Sequence, residues 1–231
     1  MLRKLSISIC LLLSVNSLRA QSLVEDMKTI SSVLDTARSV QIQAICKVYS
    51  QKGGELVSII NTGLSKKGKQ SVSTIDDMDI FTNEKYGVYI NNDDKSVTVI
   101  SRSKYADKLK SVSNKSIDQF VSWVKKQETK TTFDPKLLSE INGVRTYSIT
   151  NMDDLKEVVI SIDVKKHAIE KISYEFSESS QQSQRFIVLD YSKFLINSKE
   201  TILDQTDYYI QKSGKFLPGN KYKSYSITTD L

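Results

Sequence analysis

The sequence predicts a mainly β (α+β) protein: a single curled antiparallel sheet forming a half-open barrel, covered by an N-terminal helix and a short helical insertion. Three observations carry this. Apolar and polar residues alternate over many short runs. Turn-forming pairs such as Gly53-Gly54 and Asn142-Gly143 separate those runs. Helical spacing is confined to the start of the mature chain and to one interruption in the middle. A sheet of about ten strands must curl, and helices are well placed to cover its concave side.

The first twenty residues read as a secretory signal peptide. Arg3 and Lys4 form a positive n-region, Leu5 to Val15 an apolar core, and Leu18-Arg19-Ala20 a small-residue exit before Gln21. The apolar run falls short of the roughly 20 residues that span a bilayer. Cys10 lacks the preceding small residue of a lipid-modification site. The expected mature protein is therefore residues 21–231, one domain, unanchored and periplasmic or secreted. The chain carries a formal charge of +6; removing Arg3, Lys4 and Arg19 leaves 6 − 3 = +3. That mild charge, spread among acids, argues against nucleic acid as a partner. Cys46 is alone once Cys10 leaves, so no internal disulfide is expected and packing must hold the fold.

The mature chain opens with a helix, since Leu23, Met27, Ile30, Leu34 and Ala37 form one stripe behind a Ser22 cap. At Val40 the period changes to two: Val40, Ile42, Ala44, Cys46 and Val48 alternate with mostly polar residues. Strands follow at Leu56 to Leu64, Ser71 to Ile75, Met78 to Thr82, Tyr86 to Ile90 and Ser96 to Ile100, turned by Lys66 to Lys69, Asn83-Glu84 and Asn91 to Asp94. Tyr105 to Val112 and Ser116 to Lys126 are helical. In the second of these Ile117, Phe120, Val121 and Val124 share a face, with Trp123 at its edge. After Pro135 the chain returns to β: Leu137 to Ile141, Val144 to Thr150, a strand carrying Val158, Ile160, Ile162 and Val164, then Ile169 to Phe176 and Phe186 to Ile196. Tyr208 to Gln211 and Tyr222 to Thr228 finish the chain, joined through Gly214 and Pro218-Gly219.

This order resembles the outer-membrane lipoprotein carriers and their receptor, the LolA/LolB-like superfamily, over roughly residues 22 to 200. Asn83 to Val97 is similar to that family's central hairpin, Ser116 to Lys126 takes the place of its lid helices, and Asn142 to Ile149 with Ile160 to Asp163 resembles its second-half strands. The stretch Asn61 to Ser73 has no arginine, proline or aromatic residue, so the family's lid-closing arginine has no counterpart there. The stretch after Lys199 matches poorly. The resemblance implies an apolar cavity between sheet and helices that holds acyl chains or a lipoprotein. An outer-membrane or envelope partner protein and a monomeric carrier are implied with it. Alternation then names the lining: Val88, Ile90, Val97, Val99, Ile160 and Ile162 on the sheet, with Ile117, Phe120 and Val124 on the cover. Taken singly, each is equally well a plain core residue.

Catalytic material is sparse. His167 is the sole histidine and falls in a turn beside Lys165 and Lys166, so no multi-histidine metal site or histidine acid–base pair can form. Cys46 reads as a small core residue. Asp76-Asp77-x-Asp79 lacks the glycine and distal glutamate of a calcium loop and reads as an acidic turn. The strand tyrosines pair across strands or line an amphipathic pocket. No cofactor is expected and the chain reads as non-catalytic. The readings are an acyl or lipoprotein carrier, an interaction module of the same fold with a filled core, and, behind both, an extracytoplasmic hydrolase. The intact mass of exported protein should correspond to an unacylated chain beginning at Gln21. A species retaining Met1 to Ala20, or carrying diacylglycerol, contradicts the signal-peptide reading.

Overall fold

The computed structural model describes residues 23–104, 134–150, 154–178, 180, 185–199 and 203–231. The signal stretch and the helical insertion, with Ile117, Phe120, Trp123 and Val124, lie outside them. Helix α1 occupies residues 23–36, and Leu23, Met27 and Ile30 of its predicted stripe are buried. Strands β1 (Ser39–Tyr49), β2 (Leu56–Lys67), β3 (Gln70–Ile75), β4 (Met78–Thr82), β5 (Tyr86–Asn91) and β6 (Ser96–Ser101) follow. Next come β7 (Lys136–Ile141), β8 (Val144–Thr150), β9 (Leu155–Asp163), β10 (Ala168–Phe176) and β11 (Phe186–Ile196). These eleven agree with the sequence reading to within a few residues at each end.

The turns explain the agreement. Asn142 and Gly143 both take positive φ, 56° and 88°, the left-handed geometry of a tight hairpin. Asn91 Oδ1 accepts from the N–H groups of Asp93 and Asp94 and so folds its own turn. Asp163 does the same for Lys165 and Lys166 at the turn that ends with His167.

The C-terminal stretch departs from expectation. β12 (Tyr209–Lys212) and β13 (Lys215–Pro218) form a separate two-stranded hairpin around Gly214, whose φ is 78°. Tyr222 ends a short 3-10 turn, Asn220–Tyr222, and only then does β14 (Ser226–Asp230) begin. β14 pairs with β6 in parallel, Ser226 against Ser96 through Asp230 against Ile100. A hairpin would have forced the antiparallel direction; β14 is reached by a long return, which leaves its direction free.

The main sheet has twelve strands in the order β14-β6-β5-β4-β3-β2-β1-β11-β10-β9-β8-β7. The pairings from β2 through β6 and from β7 through β11 are antiparallel; that of β14 with β6 is parallel. The order has two ends and is not closed into a barrel. By its contacts the chain forms two compact units. The first holds α1, β7 to β10 and parts of the long strands β1, β2 and β11; the second holds the rest of those strands, β3 to β6 and the C-terminal stretch.

In the second unit the C-terminal stretch is a cover. Tyr208, Tyr209, Phe216 and Tyr222 are buried in one cluster with Val72, Phe81, Val88, Ile90, Val97 and Val99. Tyr208 stacks on Phe81 with ring centroids 4.6 Å apart, and Tyr86 meets Phe216 edge-on at 5.1 Å. Such aromatic pairs add about 0.5–1.5 kcal/mol each beyond the area they bury. Gly219 closes the cover: its N–H donates to the Tyr208 carbonyl, and a Cβ there would lie 2.3 Å from the Asp207 carbonyl group. Only glycine permits that approach.

Candidate functional site

Pleating places alternate residues of the second unit on opposite faces of the sheet. The register pairs Val72 with Phe81, Phe81 with Val88 and Val88 with Val99, so these share one face. That is the face the C-terminal cover seals. Ser73 pairs with Ile80, and Ile80 with Tyr89, which puts Ile80 and Tyr89 on the other face, with Ile100 two residues beyond Tyr89's partner Thr98. Gly63 fixes where β1 belongs. Its missing Cβ would sit 3.7 Å from Thr74 Cβ and 3.9 Å from Gln43 Cγ, so Gln43 and Thr74 are on the Phe81 face. By alternation Val40, Ile42 and Ala44 then lie on the Ile80 face.

The Ile80 face is therefore apolar as well. Val40, Ile42, Ala44, Ile80 and Ile100 are buried, Leu64, Tyr89 and Tyr191 are half-buried, and Ile75 and Met78 are exposed at its rim. None of them belongs to the aromatic cluster of the cover. Cys46 follows Ala44 on this face, and burial raises its thiol pKa, with the Asp76 charge adding to it. Burial also pushes the Tyr191 phenol up to about 12, with Cys46 contributing. Both groups are thus neutral at neutral pH.

In the first unit the corresponding element is α1. Arg145, Tyr147 and Ile149 alternate along β8, and the register pairs them with Ile162, Ile160 and Val158. Tyr147 Oη donates to Asp26 of α1 at 2.8 Å. Arg145 donates to the same carboxylate at 3.2 and 3.3 Å and to Glu140 at 3.1 Å. The helix is thereby tied over the face that carries Ile160 and Ile162, both fully buried.

The sequence-derived lining residues separate in two groups. Ile160 and Ile162 lie under α1 in the first unit. Val88, Ile90, Val97 and Val99 are fully buried in the second, against the C-terminal aromatics. Ile117, Phe120 and Val124 lie outside the described residues. Ile80, Ile100 and Leu64, also on this candidate face, were not singled out from the sequence, whereas Tyr191 was among the strand tyrosines read as pairing across strands or lining a pocket. Ile80 and Ile100 stand next to Phe81 and Val99 in the chain, and such adjacent apolar pairs signal a strand buried on both faces.

The remaining polar clusters are self-satisfied. Asp76 Oδ1 accepts from the Asn61 N–H, and Asp79 accepts from Thr74 and from Tyr222. A cavity of about 1110 Å³ opens in the first unit beside Lys52, Lys156, Glu175 and Arg185. Lys52 is paired there with Glu157 at 3.0 Å and Glu175 at 3.2 Å, so opposite charges already neutralise one another. Among the described residues no group of three or more His, Cys, Asp or Glu side chains converges as a metal site.

Comparison with known proteins finds distant likenesses of fold. A conserved protein from Thermus thermophilus is 6 % identical, with 87 % of this chain and 99 % of that one covered and a TM-score of 0.40. Lipoprotein LppX of Mycobacterium tuberculosis is 14 % identical, covering 75 % and 95 % at 0.38. A Vibrio parahaemolyticus domain assigned to outer-membrane lipoprotein sorting is 11 % identical, covering 80 % and 94 % at 0.33. No protein-family model matches the chain, and no curated protein matches its sequence.

The buried phenols give an alkaline signature. Burial raises Tyr208, Tyr209 and Tyr222, the last helped by the Asp79 carboxylate, as well as Tyr191. In the unfolded chain these groups ionise near about pH 10. Their contribution is complete below that pH and is lost as pH rises towards the folded values. Urea midpoints should hold steady from pH 7 to 8, soften as the unfolded thiol of Cys46 begins to ionise near pH ~8.5, and fall further above 10. Tyr222→Phe should cost about 1 kcal/mol at pH 8 through its lost hydrogen bond and flatten the alkaline decline. A midpoint unchanged at pH 11 contradicts the buried-phenol account.

Proposed function

We propose that the protein is a non-catalytic extracytoplasmic carrier or binding protein that holds acyl chains, free or on a lipoprotein, against the Ile80 face of its sheet. The observation that supports this is the two-faced apolar character of β4 to β6, of which the C-terminal cover seals one face. The second apolar face also demands a cover. In this reading the expected helix over residues 116–126, which carries Ile117, Phe120 and Val124 and lies outside the described residues, is the candidate cover. Acyl chains replace those side chains when the cover opens. For Ile160 and Ile162, in the first unit, access would require α1 to leave and its tie through Asp26 to break. Each buried methylene contributes about 0.8 kcal/mol, so binding needs no polar anchor. The neutral phenol of Tyr191 suits a site for hydrocarbon, where an unpaired charge is costly.

A second reading has one observation in its favour. Val88, Ile90, Val97 and Val99 are already packed against the chain's own aromatics, as in an interaction module with a filled core. The two readings part on ligand uptake. A fluorescent fatty acid should bind the purified protein and be displaced by unlabelled long-chain lipid, with a change in Trp123 emission. Leu64→Asp on the Ile80 face and Phe120→Asp on the cover should each weaken uptake at least tenfold while shifting the urea midpoint little. Val97→Ala, on the sealed face, should lower stability by about 1–3 kcal/mol and leave uptake intact. Absence of uptake by the wild type favours the filled-core module.

A further inference from the structure

Where the β2–β3 and β4–β5 turns meet the C-terminal stretch, a cavity of about 430 Å³ is lined by Lys67, Gln70, Lys85, Gln205, Tyr209 and Gln211, among others. Asn83 sets its polarity. Its side chain is buried, and Oδ1 accepts from the backbone N–H groups of Lys85 at 2.9 Å and Tyr86 at 2.8 Å. Two backbone donors fix which end of the amide is oxygen. Nδ2 must therefore face the other way, where it donates to Gln205 Oε1 at 3.0 Å and to Tyr209 Oη at 2.9 Å.

That orientation propagates. With Gln205 Oε1 turned to Asn83, the NH₂ group of Gln205 is left for the cavity. Tyr209 Oη has accepted one hydrogen bond and keeps its own proton to give, and burial raises its pKa so that the proton stays. Among the described residues Lys67 and Lys85 make no side-chain hydrogen bond or ion pair; Glu84, the single acid in the lining, is tied to Lys69 and lies only within the longer-range field of Lys85. Three lysines against one glutamate leave 3 − 1 = +2 around the cavity. The contrast with the Lys52 cavity, where cations and carboxylates are paired, is direct.

We propose that this cavity binds a phosphate group, as a free phosphate ester or as the headgroup of a phospholipid. A phosphate offers only acceptors, enough of them for the phenol, the amide and two ammonium groups at once, and a charge near −2 that matches the lining. A neutral polyol would leave the two cations without a counter-charge. The inference does not rest on the acyl-carrier reading: Gln70, Asn83, Tyr86 and Tyr209 belong to the Phe81 side of the sheet, opposite the Ile80 face.

The test uses the mature chain and isothermal titration with four probes: inorganic phosphate, glycerol 3-phosphate, monomeric short-chain phosphatidic acid, and glycerol. The phosphate probes should bind and glycerol should not. Similar affinity for all three phosphates identifies a site for the free group, and tighter binding of phosphatidic acid identifies a headgroup site. Gln205→Glu keeps an oxygen for Asn83 and replaces the free donor by a negative charge, so it should preserve the thermal midpoint and weaken phosphate at least tenfold. Lys67→Ala with Lys85→Ala, both surface changes, should do the same. The proposal is overturned if no phosphate probe binds, if glycerol binds equally well, or if binding is indifferent to these variants. Loss of acyl uptake with phosphate binding retained would remove the carrier reading and leave this site standing.

Discussion

Strands β4, β5 and β6 carry apolar side chains on both faces, and that constraint governs the rest of the second unit. A sheet wet on one side needs a single cover; this one needs two. Phe81, Val88, Val97 and Val99 receive the C-terminal aromatics. The cover arrives as a hairpin, a 3-10 turn and a parallel edge strand because one segment must cross the sheet face and then be held. Gly219 lets its backbone close on Asp207. Tyr209, Tyr222 and Tyr225 anchor it by hydroxyl groups to Asn83, Asp79 and Asn92. Tyrosine serves here where phenylalanine would not, since its ring fills the apolar cluster while its hydroxyl satisfies a polar strand end.

The same logic separates the two faces energetically. The Phe81 face is bonded to its cover by rings and by oriented hydroxyls, so opening it would expose several aromatic side chains and leave buried amides without partners. The Ile80 face has aliphatic side chains and neutral Cys46 and Tyr191, with no such ties to the C-terminal cover. A ligand that competes by hydrocarbon contact alone therefore has its best opportunity there. In the first unit α1 is intermediate: its apolar stripe is buried, and its polar attachment is concentrated on one carboxylate, Asp26.

Much of the fold was legible in the sequence because its signals are local. Alternation and turn chemistry located β1 to β11 to within a few residues, and Asn142-Gly143 and Asn91 to Asp94 behave as their side chains and φ preferences require. The site was less legible. Period-two reading identifies which residues share a face but not which face a distant segment will cover, so Val88 and Ile160 looked equivalent. They are buried by different elements of different units. The cover was visible only as an aromatic density, Tyr208, Tyr209, Phe216, Tyr222 and Tyr225, in a stretch with no family pattern. The parallel pairing of β14 had no local signal, because it is decided by a return path more than a hundred residues long. The tie of Arg145 and Tyr147 to Asp26 spans 119 and 121 residues, and no spacing rule reaches that far.

In the proposed carrier the Ile80 face is closed by something exchangeable. Native mass spectrometry of the protein isolated from cells tests it most directly. The account predicts a population heavier than the bare chain by the mass of an acyl lipid, released on mild collisional activation and absent after delipidation. A bare chain from cells that also takes up no lipid on incubation would contradict it.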